Sequence, residues 1–316
     1  AIRLRGGAMS FIRTVLGDIS PAELGVCYSH EHIIIDPSFA TEQNPDFLLD
    51  DVEKAVTELK ELKAMGVDAV VDSMPIDCGA NIKKLMEVSR QSGVHIVAPT
   101  GMHLAKYYSP QQIAEEFDNA DDLNFWFRLC IRRHPKIKKP PAWCGLIKVA
   151  ALEHWDERTK TVFQAAAMTQ IETGAPILTH TENGKLALEQ ALFLRENGAD
   201  LNHVVLSHLD RNRDANTHRE VLKTGVTIEY DSHFRWKTEP NPTLELLKEL
   251  LPEFPDQIVL GMDAARRSYW KSYGGAPGMS YLFGSFKNQM SDAGISDELI
   301  HKVFVSTPAR VYSFKS

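Results

Sequence analysis

The residues with the clearest chemical meaning are His30 and His32, which flank Glu31 at the end of a short apolar segment. Two histidines separated by one residue point to the same side of a β-strand. Two imidazoles on one side of a strand can hold one metal ion. Alone, this spacing is weak evidence, because a pair of histidines is more often structural or exposed. The prediction of a metal site therefore depends on the rest of the chain.

Three later apolar segments also end in residues of metal-ligating types. These residues are His180, His208 and Asp263. Each by itself could be a hydrogen-bonded polar side chain of the core, but chance rarely places such residues at four segment ends. Four histidines and one aspartate match the nitrogen and oxygen preferences of Zn²⁺, Mn²⁺ or Co²⁺. We therefore predict a metal site, with zinc favoured and manganese or cobalt as alternatives.

Lys148 lies within the apolar segment at residues 146–149. Burial lowers the pKa of a lysine and makes its amine nucleophilic. Such an amine can react with CO₂ to give a carbamate, an anionic oxygen ligand able to bridge two metal ions. A salt-bridged lysine and a Schiff-base lysine, as in barrel aldolases, are the alternative interpretations. The four surrounding histidines favour the carbamate.

Alternating strands and helices must position these residues. Eight short apolar segments have the composition of parallel strands buried on both faces. They cover residues 26–29, 69–72, 95–100, 146–149, 177–180, 204–207, 227–230 and 258–262. Amphipathic stretches separate them, and those at residues 48–65, 159–173, 185–197 and 215–224 each end at a glycine.

This alternation predicts an α/β fold, a single-domain (β/α)₈ TIM barrel, in which catalytic groups lie at the carboxyl ends of the strands. An open doubly wound sheet is the alternative, but the first strand lacks the glycine-rich turn that such sheets normally carry. Residues 1–8 look like an expression-tag remnant before Met9, which leaves residues 9–316 for the barrel.

The composition is that of a soluble globular protein, with 43% hydrophobic and 24% charged residues and a formal net charge of −7. A basic face for nucleic acid or a membrane surface is not expected from this charge. No apolar run approaches the roughly 20 residues that span a bilayer. The four cysteines are widely scattered and form no CxxC pair, which favours a reducing, cytoplasmic location.

The candidate ligands, taken in order, resemble those of the phosphotriesterase family of the amidohydrolase superfamily. In chain order the set is His30 and His32, Lys148, His180, His208 and Asp263. Three further segments support the resemblance, at residues 16–19, 97–101 and 306–310. The likeness extends over residues 13–314, which is nearly the whole chain.

The resemblance implies two divalent metal ions per chain. Three residues would hold the more buried ion, two would hold the more exposed one, and carboxylated Lys148 would bridge both. The first group is His30, His32 and Asp263, and the second is His180 and His208. A hydroxide shared by the ions would be the nucleophile, and Asp263 would be the catalytic residue that accepts its proton and passes it to the leaving group. His233 is a further candidate to assist, with an exposed loop histidine as its alternative.

The substrate must be predicted from other residues, because the family hydrolyses organophosphate triesters, lactones and other esters. His103, a candidate substrate-binding residue, stands where better-known members have a tyrosine or tryptophan. Ser232 stands where many lactonases have an arginine. These departures disfavour an acyl-homoserine lactone.

Cations instead cluster after strands seven and eight, where such barrels often bind phosphate. The candidate anion-binding residues are Arg235, Lys237, Arg266, Arg267 and Tyr269. Structural ion pairs with nearby acidic residues are the alternative. The cluster resembles the family branch that opens sugar lactones, some of them phosphorylated.

We therefore expect a lactonase that acts on a polar sugar lactone, phosphorylated or not. The alternatives are a phosphotriesterase or aryl esterase, an aldolase, and a non-catalytic binding protein for small molecules on the same barrel. Family members are often dimers, so a homodimer is also an expectation. The loop at residues 270–277 is a candidate lid.

Overall fold

The computed structural model describes residues 10–116, 119–132 and 143–315. The amino-terminal remnant predicted at residues 1–8 lies outside this part of the chain. Aliphatic and β-branched residues dominate the strands, and most strand positions are fully buried. In chain order the strands are β1 (Ile12–Thr14), β2 (Gly17–Ile19), β3 (Cys27–Glu31), β4 (Ala69–Asp72), β5 (His95–Val97), β6 (Pro99–Gly101), β7 (Leu146–Ala150), β8 (Ile177–His180), β9 (Val204–Ser207), β10 (Thr227–Tyr230) and β11 (Ile258–Leu260).

The strands form one antiparallel hairpin and two parallel sheets. The hairpin pairs β1 with β2. One sheet has the order β3-β4-β5, and the other has the order β6 to β11. The strand predicted at residues 95–100 is interrupted at Ala98, next to Pro99, which has no N–H to donate to a ladder. Counting β5 and β6 as one interrupted strand, eight parallel strands follow one another around the barrel.

The barrel closes where β11 meets β3. The Asp263 N–H donates to the His30 carbonyl at 2.9 Å, and the Met262 N–H donates to Glu31 Oε1 at 2.7 Å. A side-chain Cβ at Gly261 would lie only 2.6 Å from the His30 nitrogen, so glycine permits this close approach. The predicted (β/α)₈ barrel is confirmed.

Helices cover the outside of the barrel. They are α1 (Phe39–Gln43), α2 (Val52–Ala64), α3 (Ile82–Ser92), α4 (Pro110–Ala114), α5 (Ala120–Arg132), α6 (Glu157–Thr173), α7 (Ala187–Glu196), α8 (Ala215–Leu222), α9 (Pro242–Leu250), α10 (Lys287–Asp292), α11 (Asp297–His301) and α12 (Thr307–Val311). Within the described residues, no helix is both long and apolar enough to cross a membrane.

Local capping sets several helix boundaries. The helix predicted to begin at residue 48 begins at Val52, because the Asp51 side chain accepts the Lys54 N–H at 3.1 Å and caps it. At the other end of α6, Gly174 adopts a left-handed conformation with φ of 75°, as expected for a glycine cap.

Alternation along the strands separates two cores. In β7, Ile147 and Val149 face the helices, whereas Leu146 joins a smaller apolar cluster inside the barrel. Lys148 is two residues from Leu146 and therefore points into the barrel as well. The pleat of one strand thus directs the lysine amine toward the other inward-facing polar groups.

Candidate active site

The polar residues that could do chemistry collect at the carboxyl ends of the barrel strands. His30 lies in β3 with His32 directly after it, and Lys148 lies in β7. His180 is the last residue of β8, and His208 follows β9. Asp263 comes three residues after the end of β11. Because parallel strands end on the same face of a barrel, these residues share one mouth.

The most deeply placed group contains His30, His32, Asp263 and Lys148. His32 Nε2 lies 3.2 Å from Asp263 Oδ1, and His30 Nε2 lies 3.7 Å from the same oxygen. The Lys148 amine lies 3.4 Å from His30 Nε2. The side chain of Lys148 is 1% exposed, so it reaches this group from inside the barrel.

The other two histidines stand beside this group. The His208 ring centroid lies 4.8 Å from that of His30 and 4.7 Å from that of His180. His208 Nδ1 is hydrogen-bonded to the buried carboxylate of Asp231. With its proton on Nδ1, this imidazole keeps the Nε2 lone pair available, an arrangement common for metal-bound histidines.

Burial sets the protonation of these groups. It lowers the pKa of His30 well below the usual value, with Lys148 lowering it further, and it lowers the pKa of His208 to about 3. Burial also lowers the pKa of Lys148 to about 8, against the opposing effect of nearby carboxylates. At neutral pH the imidazoles of His30 and His208 are therefore neutral, and a fraction of the Lys148 amine is uncharged.

The donor set fits a divalent metal ion. The nitrogens of His30 and His32 and an oxygen of Asp263 lie within 4.8 Å of one another. Ligands of a tetrahedral zinc ion at about 2.1 Å lie about 3.4 Å apart, close to the separations of 3.2 and 3.7 Å between the histidine nitrogens and Asp263 Oδ1. Neutral imidazole nitrogens and carboxylate oxygens are also ligands that Zn²⁺ accepts.

Two arginines organise the carboxylates around this group. Arg211 donates to Asp231 Oδ1 at 3.1 Å and to Asp263 Oδ2 at 3.0 Å. Arg235 donates to Asp231 Oδ1 at 3.1 Å and to the Asp263 carbonyl at 2.9 Å. Asp263 therefore offers Oδ1 to the histidines while a guanidinium holds Oδ2. Arg211 was not predicted from the sequence, because it lies in a single helical turn after His208 with no motif to mark it.

Glu31 and Glu229 are buried carboxylates beneath the site. Glu31 accepts the N–H groups of Met262 and Ala264, at 2.7 and 3.2 Å, and thereby fixes the backbone on either side of Asp263. Glu229 accepts the His208 N–H at 3.2 Å. The strand pattern alone gave no sign of Glu229, since its neighbours in β10 form an ordinary buried strand.

A cavity of about 350 Å³ opens over these groups. One side of the cavity is polar and the other is mostly apolar. The polar side is formed by His32, His103, His180, His208, Arg211, Ser232, Arg235, Asp263, Arg266 and Tyr269, and the remaining lining residues are Ile35, Ala40, Phe47, Met74, Cys78, Tyr107 and Ala265. The cavity therefore combines metal-ligand types, three guanidinium groups and an apolar wall.

The predicted anion-binding residues divide into two sets. Arg235, Arg266 and Tyr269 line the cavity, as does His103. Lys237 is exposed and does not line it. Arg267 is also absent from the lining, because its guanidinium is bound to the Leu48 carbonyl and to Asp50.

His233 and residues 270–277 are held by contacts away from the cavity lining. His233 is 1% exposed, and its Nε2–H donates to the Gly261 carbonyl at 3.0 Å. Its ring stacks on Phe286 with centroids 4.4 Å apart, and it does not line the cavity. The candidate lid at residues 270–277 is held against α2 by the buried Glu58, which accepts the Ser272 N–H at 3.0 Å.

The chain resembles known proteins in both sequence and structure. The sequence profile of the phosphotriesterase family matches residues 10–312. A phospho-furanose lactonase of Mycoplasmopsis synoviae is 32% identical, over 96% of this chain and 92% of its own length. A lactonase from Listeria monocytogenes superposes with a TM-score of 0.89 at 30% identity, covering 97% of this chain and 100% of the other.

A more distant structure carries a ligand. It is the phosphotriesterase homology protein from Escherichia coli, solved with phosphate in its active site. Its TM-score is 0.84 at 26% identity, and the match covers 92% of this chain and 99% of that chain.

Proposed function

Because the chain belongs to the phosphotriesterase family, we propose that it is a binuclear metal-dependent lactonase that opens a polar sugar lactone, with phosphorylated furanose lactones as the leading candidates. The observation that carries this proposal is the single cavity shared by the metal-ligand types and three guanidinium groups. The lactonases among the relatives support the reaction class. The phosphate in the Escherichia coli structure supports an anionic group on the substrate.

In this proposal His30, His32 and Asp263 would hold one ion, and His180 and His208 would hold the other. Lys148, carboxylated by CO₂, would be a ligand of both. Its neutral amine forms a C–N bond with CO₂ and loses a proton, which its lowered pKa favours. Divalent ions bound there would supply Lewis acidity and water of lowered pKa. Zinc is the proposed ion on the basis of the donor set, with manganese and cobalt as alternatives.

Asp263 is the proposed proton acceptor. It is within reach of the cavity, with its side chain 18% exposed. Although burial raises the pKa of Asp263, its hydrogen bond with His32 and the nearby His208 hold that pKa well below the usual value. The carboxylate is therefore ionised and able to receive a proton, while Arg211 fixes its direction through Oδ2.

Arg266 is the cation best placed to bind an anionic substituent. Its guanidinium lies over the Phe47 ring at 4.7 Å, and its contact with Asp46 is long, at 3.8 Å. Arg211 and Arg235, in contrast, are engaged by Asp231. Arg266 therefore retains donors for a phosphate or carboxylate.

The test compares a furanose lactone with its phosphorylated form. Arg266→Met should lower kcat/KM for the phosphorylated lactone by about 10- to 100-fold, the effect of losing a charged hydrogen bond worth about 1.5–3 kcal/mol. Activity on the unphosphorylated lactone should change little. Arg267→Met is the matched control, because Arg267 adjoins Arg266 in sequence but binds Leu48 and Asp50 outside the cavity.

Two outcomes would count against the proposal. Equal losses on both lactones in Arg266→Met would remove the anion-binding role. Faster hydrolysis of an aryl phosphotriester or aryl ester than of any lactone would favour the second candidate function. That candidate rests on the apolar wall, where Phe47 and Tyr107 could pack against an aryl group.

The proposed setting is a reducing cytoplasm, based on the four scattered cysteines, with residues 9–316 as one catalytic domain. A homodimer is the proposed assembly, on the precedent of the family.

A further inference from the structure

The ring of His103 is held in one tautomer by its own backbone. Its Nδ1 accepts the N–H of Leu104 at 2.8 Å. A backbone N–H can only donate, so Nδ1 must carry the lone pair. In the neutral ring the proton is then on Nε2. A doubly protonated ring would set two N–H groups against each other, so the contact also opposes the charged form.

The backbone of His103 is fixed on both sides. Its N–H donates to the Tyr108 hydroxyl at 2.9 Å, and its carbonyl accepts from Arg158 Nη1 at 3.1 Å. Arg158 is itself clamped by two hydrogen bonds to the Glu116 carboxylate, each 2.7 Å long. These contacts leave the imidazole little freedom to turn.

The Nε2 edge of the His103 ring faces the cavity. His103 is 8% exposed and lines the cavity beside His180, with ring centroids 5.7 Å apart. Tyr107 packs against it edge-on at 4.4 Å. Within residues 10–116, 119–132 and 143–315, no hydrogen bond is formed by His103 Nε2. Burial, followed by His180 and Lys148, holds the pKa of His103 well below its usual value.

We infer that His103 contacts the substrate directly and that its Nε2–H donates a hydrogen bond to an oxygen of the lactone group. The inference rests on the proposed function, and it adds a specific atom and a specific tautomer to the substrate contacts. A donor fixed in advance beside an oxygen that gains negative charge stabilises the transition state more than the ground state. No proton is transferred, because the hydrogen stays on Nε2 throughout. Tyr108 and Arg158 are positioning residues that act through His103.

Three substitutions of His103 distinguish the contribution of its Nε2–H donor from that of the aromatic ring. In His103→Gln the side-chain amide reaches the place of Nε2 and can donate there. In His103→Asn the amide reaches only the place of Nδ1, and in His103→Phe the ring remains without a donor. We expect His103→Gln to keep kcat within about fivefold of the parent. The other two should lose about 10²- to 10³-fold in kcat, the loss typical of removing such a donor, with a smaller change in KM.

The same assays show what would overturn the inference. If His103→Gln loses as much kcat as His103→Asn, or if the variants change only KM, the lactone oxygen is not the acceptor. A parent enzyme that opens lactones while all three variants match it would refute the role of His103 and leave the proposed function standing. A metal-loaded parent that opens no lactone would refute the proposed function itself.

A second measurement does not depend on activity. Nitrogen-15 NMR of the metal-free protein reports which ring nitrogen carries the proton, and the His103 signals are identified by their loss in His103→Gln. We expect a bare Nδ1 and a protonated Nε2, because the Leu104 N–H occupies the Nδ1 lone pair. In Tyr108→Phe the backbone N–H of His103 loses its acceptor, and kcat should fall while the tautomer is kept. A proton on Nδ1 would overturn the inference.

Discussion

Glu58 tests whether a single buried carboxylate holds the loop after β11 in place beside the cavity. It lies on α2, is 2% exposed, and accepts three backbone N–H groups from the loop after β11. Oε1 accepts from Lys271 at 3.3 Å and Met279 at 3.0 Å, and Oε2 accepts from Ser272 at 3.0 Å. One buried carboxylate thus fixes the loop that follows the cavity-lining Tyr269.

The substitution Glu58→Gln keeps the volume and removes one acceptor. The amide oxygen of the new glutamine can still accept the N–H groups of Lys271 and Met279. Its NH₂ group, however, faces the Ser272 N–H, and two donors cannot bond to each other. The change loses one charge-assisted bond, worth about 1.5–3 kcal/mol, and leaves a buried donor unpaired at about 1–3 kcal/mol. If the lost hydrogen bond and the unpaired N–H together cost about 3 kcal/mol, local opening of the loop should become about 100-fold more frequent.

Amide hydrogen exchange of peptides that cover residues 268–280 measures this opening. Glu61→Gln is the matched control, because Glu61 lies on the same helix and pairs with the same loop residue, Lys271, at 2.6 Å. Both of those side chains are more than 40% exposed, so the control pair is worth about 0–1 kcal/mol. KM should rise in Glu58→Gln alone. Equal exchange rates in the two variants would refute the reasoning.

Two further predictions concern Lys148. Lys148→Met keeps the packing of β7 but removes the amine, so we expect fewer than about one metal ion per chain by elemental analysis; a full complement of two would contradict the bridging role. Reconstitution of metal-free protein at constant dissolved CO₂ should accelerate about tenfold per pH unit up to about pH 8 and then level off, because only the uncharged amine reacts and burial lowers its pKa to about 8. A reactivation rate that is independent of pH below this value would show that deprotonation of Lys148 does not limit the process.

Local composition was enough to predict most strands. The bounds of β4, β8, β9 and β10 agree with the prediction, because each begins with aliphatic or β-branched residues. At two places where prediction and structure differ, a single residue explains the difference. Pro99 interrupts the third barrel strand, since it cannot donate to a ladder, and the Asp51 cap delays the start of α2.

The candidate ligands could also be found from the sequence, because the barrel imposes a simple rule. Every parallel strand ends on the same face, so residues far apart in the chain, such as His30 and Asp263, meet once the fold is known. The two-residue repeat of a strand similarly directs Lys148 inward. Residue type and position at a strand end were therefore enough to select the candidate metal ligands from the sequence.

Only the tertiary structure decided which cations face the cavity. Arg266 and Arg267 are neighbours in sequence, yet Arg266 lines the cavity and Arg267 binds the Leu48 carbonyl. Their directions follow from the path of the loop, which is tied to α2 by Glu58. Arg211 likewise reaches Asp263 through space, across 52 residues of chain. Strand periodicity fixes side-chain direction locally, whereas a loop side chain is directed by contacts that form only when distant elements pack together.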